Sequence, residues 1–123
     1  MTLSFSGVVF DSADPATIAS FWAQVLGWSG REDGDRGEVV IFPRQGETTT
    51  GPPSIVFQPV PEGKTVKNRV HLDLSPGGGA DQDAEVERLE ALGAHRVDVG
   101  QGEGLTFVVL ADPEGNELCV LRD

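Results

Sequence analysis

The chain has 123 residues, 38% of them hydrophobic, which is enough for one compact domain or two small modules sharing a core. It carries 20 acidic residues against 9 basic ones, a formal net charge of -11. Such a field repels phosphate backbones, so nucleic-acid binding is not expected; a cationic small molecule would be favoured, although solubility alone accounts for the charge.

Residues 1–5 contain no basic segment leading into an apolar run, and no stretch is long and apolar enough to span a membrane. The expected location is therefore the cytoplasm. Val8, Val9 and Phe10 form a short apolar run that reads as a buried strand. Asp14 then offers a cap and Pro15 suits the first helical position. Ile18, Phe21, Trp22 and Val25 recur at helical spacing, and Gly27 is placed to end the helix, which predicts a helix over Pro15 to Leu26. Ser29 to Glu38 reads as an exposed turn, with room for a strand around Gly27 to Arg31. Glu38 to Phe42 and Ser54 to Gln58 read as strands. The segment Pro59 to Lys64, with two prolines and a glycine, breaks the ladder and links two halves.

The second half repeats the plan. Val70, Leu72 and Leu74 alternate with His71 and Asp73, predicting a strand with one apolar and one polar face. Asp81 is placed to cap a helix running to Leu92, with Val86, Leu89 and Leu92 inward and Gly93 ending it. Ala94 to Val99 and Leu105 to Ala111 read as strands. Asp112-Pro113-Glu114-Gly115-Asn116 is a tight turn, and Glu117 to Leu121 is a last strand. Residues 7–10 match residues 71–74 at an offset of 64, and the two helix-ending glycines match at an offset of 66. An internal repeat of this kind predicts an α+β fold of two βαβββ modules, residues 1–61 and 64–123, within a single domain. Cys119 is the only cysteine, so no intrachain disulfide can form, which suits a reducing compartment.

Several residues stand out chemically. His71 can exchange protons near neutrality and is the candidate catalytic residue or pocket-wall histidine. Asp73 shares its face and can orient the imidazole or take a cation. Gln58 offers both a donor and an acceptor. Trp22 could stack on a planar ligand, although its place in the helix stripe favours core packing. Lys67, Asn68 and Arg69 could hold an anion or simply be an exposed link. His95 has no second ligand nearby and reads as structural or surface.

The stretches Asp14 to Trp28 (DPATIASFWAQVLGW), Lys67 to Leu74 (KNRVHLDL) and Leu110 to Leu121 (LADPEGNELCVL), taken with the strand order, resemble the vicinal oxygen chelate superfamily. That superfamily includes glyoxalase I, bleomycin-resistance proteins and extradiol dioxygenases, and the chain looks closest to its glyoxalase-like domain proteins. The resemblance implies that the two modules form a half-open barrel around a small-molecule pocket. It also implies a homodimer. Metal-dependent members carry ligands on the first and last strands of each module. Carried over, those positions fall on Gly7, Gln58 and His71, with Cys119 where a glutamate usually stands, seven residues after Asp112. Glu117 shares the strand face of Cys119 and could substitute. The metal-ligand candidates are therefore Gln58, His71 and Glu117, and the ligand-binding candidates are Gln58, His71, Asp73, Cys119 and Trp22. The pattern assigns no cofactor, and leaves room for a divalent metal. The expected function is small-molecule binding with a degenerate metal site; the alternative is a metal-dependent lyase, isomerase or dioxygenase.

Overall fold

The computed structural model describes residues 2–47, 51–77, 79–98 and 106–122. It divides into two compact units, Met1–Gly63 and Lys64–Asp123.

The first unit runs β1 (Val8–Ser12), α1 (Pro15–Leu26), β2 (Gly30–Asp33), β3 (Val39–Phe42) and β4 (Ile55–Pro59). Its sheet has the order β1-β4-β3-β2, with β1 and β4 parallel and the other neighbours antiparallel. Helix α1 starts where its sequence says. The Asp14 carboxylate accepts from the Thr17 N–H at 3.4 Å and from the Thr17 hydroxyl at 2.7 Å, while Pro15 needs no partner for a missing N–H. It stops at Gly27, whose φ of 69° lies in the left-handed region. The inner stripe of α1 buries Ile18, Phe21 and Trp22, and the sheet buries Ile41, Ile55 and Phe57. Phe10 bridges the two layers, 5.4 Å from the Trp22 ring and 5.3 Å from the Phe57 ring.

The second unit runs β5 (Leu72–Leu74), α2 (Gln82–Leu92), β6 (His95–Arg96), β7 (Val108–Ala111) and β8 (Glu117–Val120), in the sheet order β5-β8-β7-β6. Asp81 caps α2 by accepting from the Ala84 N–H at 3.2 Å. Val86 and Leu89 are buried, as are Leu110 and Leu118 of the sheet. Gln82 is also buried, because its Nε2 donates to the Thr106 and Val120 carbonyls at 2.9 and 3.0 Å and so fastens the start of α2 to the sheet. The turn from β7 to β8 is organised by Asp112. Its carboxylate is fully buried and accepts from the backbone N–H groups of Glu114 and Asn116 and from the Asn116 amide.

Two expectations need correction. The half-open barrel around a pocket is not formed: there are two separate open sheets of four strands, each ending on edge strands. Closure requires the outermost strands to pair with a tilt and stagger matched to the strand number. Here β1 and β2, like β5 and β6, are left as edges of their own sheets. The strand at Val70 is also shorter than its alternation predicts. β5 begins at Leu72, and Val70 is 78% exposed instead of facing the core. Of the expected strands Ala94 to Val99 and Leu105 to Ala111, His95–Arg96 and Val108–Ala111 are paired as β6 and β7; residues 99–105, with the expected turn, lie outside the described residues. Among the described residues, no helix is long and apolar enough to cross a membrane.

The ladders also settle how the two units correspond. The first pair after α1 is Gly30↔Phe42, and the first after α2 is His95↔Ala111. Following each sheet across, Ile41↔Ile55 answers to Leu110↔Leu118, and Phe10↔Phe57 answers to Leu74↔Val120. His71 therefore corresponds to Gly7, and Cys119 corresponds to Val56. Gln58 stands two residues beyond that position.

Candidate functional site

The site grows from the parallel pairing of β5 with β8. Their register sets Leu72 opposite Leu118, Asp73 opposite Cys119 and Leu74 opposite Val120. Side chains alternate along a strand. Leu118 and Val120 are buried on the α2 side, so Asp73, Glu117 and Cys119 take the other face. His71 precedes Asp73 by two residues and joins them, with Nε2 3.1 Å from Asp73 Oδ1. One donor atom from each of His71, Asp73 and Cys119 lies within 4.8 Å of the other two. The side chains of His71 and Asp73 are half exposed, whereas Cys119 is 4% exposed.

Burial pushes the Cys119 thiol above its ordinary range. The Asp73 carboxylate, by its charge and by accepting from the thiol, pushes it the same way, as does the charge of Glu117.

Glu117 is held apart from this cluster. Its Oε1 accepts from Lys67 Nζ at 2.8 Å, and its Oε2 lies 3.7 Å from Lys64 Nζ and 3.4 Å from the Asn68 N–H. The Asn68 amide donates to the Glu117 carbonyl at 3.3 Å and to the Val70 carbonyl at 3.0 Å. The bond from Lys67 is the main reason the Glu117 carboxyl sits below its usual range, aided by Asn68 and by the charge of Lys64. Lys67 and Asn68, read from sequence as an anion-holding cluster or an exposed link, thus clasp Glu117.

The other sequence candidates fall elsewhere. Gln58 belongs to the first unit, where its Nε2 donates to Asp11 Oδ1 at 2.8 Å across the Asp11↔Gln58 pair of the parallel ladder. Trp22 is 1% exposed and edge-on to Phe21 and Phe10 in the core of that unit. His95 is exposed on β6. Sequence reasoning missed Asp11 as the partner of Gln58 and the two lysines as the clasp of Glu117. Only the parallel register and the return of residues 64–68 to β8 reveal them.

The three-residue cluster fits a divalent metal. Tetrahedral bonds of about 2.0–2.3 Å put neighbouring donors roughly 3.3–3.8 Å apart. The His71–Asp73 contact is already that short, and the half-exposed side chains of these two residues can turn toward a buried sulfur that the sheet holds in place. One nitrogen, one oxygen and one sulfur donor are a set that zinc and its neighbours accept, with a fourth position open to water or a ligand.

Two βαβββ units, one of them carrying an imidazole–carboxylate–thiol cluster on the sheet face away from its helix, define a small α+β protein of the vicinal oxygen chelate type. The model of the glyoxalase-like domain family matches residues 7–121, and the chain belongs to that family. Solved structures share its fold at low identity. The fosfomycin resistance protein FosX from Mesorhizobium loti is 16% identical with a TM-score of 0.68, over 100% of this chain and 94% of that one. FosX from Listeria monocytogenes, in a mutant complexed with Mn(II) and a dihydroxypropylphosphonic acid, is 15% identical with a TM-score of 0.67, over 99% and 91%. The bleomycin-binding protein of Streptomyces verticillus, complexed with copper(II)-bleomycin, is 17% identical with a TM-score of 0.58, over 100% and 98%. No curated protein matches the sequence.

Proposed function

We propose that this chain is a small-molecule-binding protein of the glyoxalase and bleomycin-resistance type, and that it recognises its ligand at His71 and Asp73 beside Cys119. The observation that carries this reading is the convergence of those three side chains on one face of the second unit. Two of the three are half exposed and can meet a ligand, while Cys119 forms a buried floor. Glu117, the one carboxylate on β8, is neutralised by Lys67 and Lys64 and is not free to act as a base. Relatives of the same fold bind a metal-loaded antibiotic or a phosphonic acid with manganese, which supports a small and oxygen-rich ligand.

The same cluster favours a second reading, a metal-dependent lyase, isomerase or dioxygenase. A bound ion would act there as a Lewis acid on substrate oxygens. In that reading His71, Asp73 and Cys119 hold the ion and leave one side open to substrate.

Calorimetry tests the first reading with copper(II)-bleomycin, catechol, 2-hydroxy acids and propylphosphonic acid as probes, on the wild type and His71→Ala. Binding of at least one probe, weakened about tenfold or more by the substitution, is expected for loss of a hydrogen-bonding contact to a charged group. Equal affinity in both proteins, or no binding at all, refutes it.

A further inference from the structure

The ladder between β5 and β8 opens at Leu72↔Leu118, so His71 stands one residue ahead of the first pair. Something other than the ladder must fix its backbone. The Asn68 side chain reaches into that gap: Nδ2 donates to the Val70 carbonyl at 3.0 Å and to the Glu117 carbonyl at 3.3 Å. The Val70 oxygen belongs to the peptide group whose nitrogen is that of His71. A peptide group is planar, so holding that oxygen sets the plane from which His71 departs. The Glu117 oxygen belongs likewise to the peptide group entering Leu118, the residue that opens the ladder. The partners fix the orientation of the amide: both are acceptors, and turning it over would set its oxygen against two carbonyl oxygens. Asn68 Oδ1 is buried and has no hydrogen-bond partner among the described residues. A buried acceptor without a partner is unfavourable, so the two donated bonds, and not the oxygen, keep the amide there. The Asn68 N–H, 3.4 Å from Glu117 Oε2, and Lys67 Nζ, 2.8 Å from Glu117 Oε1, hold the same segment to β8.

We propose that Asn68 is a positioning residue for His71. Its amide bridges the Val70 and Glu117 carbonyls, takes over where the ladder ends, and so keeps the imidazole beside Asp73, with Nε2 3.1 Å from Oδ1. Asn68 acts through the backbone of Val70 and His71 and not by touching the ligand. A side chain with a single donor hydrogen, or with a carboxylate, cannot serve both oxygens at once. This role deepens the proposed function, on which it rests: His71 is the ligand contact, and Asn68 holds it in place.

The chain has two histidines, His71 and His95, so the imidazole NMR signals of the isotope-labelled full chain at fixed pH read the site and an internal control together. In Asn68→Ala the His71 ring signals shift and broaden as the imidazole leaves Asp73, while those of His95 on β6 stay in place. Leu89→Ala destabilises the same unit from the buried face of α2 and leaves the His71 signals unmoved. Calorimetry repeats copper(II)-bleomycin, catechol, 2-hydroxy acids and propylphosphonic acid. Any probe that binds the wild type binds Asn68→Ala about fivefold more weakly, the scale of one lost hydrogen bond, and binds Leu89→Ala as it binds the wild type. Where Asn68→Ala does not fold, Asn68→Ser, which keeps one donor, is read in its place. In the wild type itself the Asn68 side-chain amide hydrogens exchange about tenfold more slowly than those of free asparagine, because both are bonded. Unmoved His71 signals in the Asn68 variant, an equal shift of His95 or in Leu89→Ala, or an Asn68 amide that exchanges at the free rate overturns the proposal. If a probe binds in a His71-dependent manner and equally well to Asn68→Ala, the positioning role alone falls. If the ring signals move as stated and no probe binds the wild type, the binding reading falls and the positioning role stands.

Discussion

Removing the charge of Glu117 isolates what its clasp contributes. Glu117→Gln keeps the size of the side chain and deletes the ion pair with Lys67. The pair is short at 2.8 Å, but Lys67 is 59% exposed and water screens it. A pair of this kind is worth about 0.5–1 kcal/mol. The Asn68 N–H loses an ionised acceptor at 3.4 Å, a long bond that adds roughly 0.5 kcal/mol. The variant should therefore be less stable by about 1–1.5 kcal/mol at pH 7, a fall in Tm of about 3–6 °C for a chain of this size. Because the folded state holds the carboxyl below its ordinary value of 4.5, its stabilisation is complete above that value and is lost as pH falls through the depressed one. Urea unfolding of both proteins at a series of pH values from 7 down to 3 reads this directly. The gap should hold from neutrality to about pH 5 and close below the folded-state value, where the wild type also carries a neutral side chain. A gap that persists unchanged to pH 3, or is absent at pH 7, refutes the clasp.

Two further outcomes test the frame around the site. Asp112→Ala removes the acceptor for the N–H groups of Glu114 and Asn116, and a fully buried polar network lost in this way costs about 2–4 kcal/mol. Hydrogen exchange should show those two turn amides losing protection before those of β8; full retained protection would count against the turn. Phe57→Ala empties a site with no solvent exposure between Phe10 and the buried face of α1, and urea denaturation should find a loss of about 3–5 kcal/mol. A loss below about 1 kcal/mol would mean that the packing around Phe57 collapses to refill the space.

The candidate site was partly legible in the chain. His71 and Asp73 shared a strand face by alternation, and the family resemblance put Cys119 at the position where a ligand usually stands. Their meeting was not legible, because it depends on β5 lying parallel to β8 in one register out of several. A slip of one residue would turn Cys119 toward α2 and Leu118 toward His71. The use of Lys64 and Lys67 was hidden for a similar reason: their partner is about 50 residues away in sequence, and a loop's return path leaves no periodic trace. Trp22 was weighed as a stacking surface, yet its place in the stripe of α1 fits the core position it takes.

What the sequence determined by itself is the set of local decisions. Asp14 with Pro15 and Gly27, and Asp81 with Gly93, start and stop the two helices, because capping hydrogen bonds and left-handed backbone involve only residues within a turn of one another. The buried Asp112 network explains why a short Asp-Pro-x-Gly-Asn string is so recognisable: the string contains all the partners its turn needs. What only the tertiary structure decided is everything set by pairing between distant strands. That includes the two open sheets in place of a barrel, the correspondence of Cys119 with Val56 and not with Gln58, and the choice between Glu117 and Cys119 beside His71. Edge closure and ladder register are settled by contacts that many sequences of the same pattern could form in more than one way.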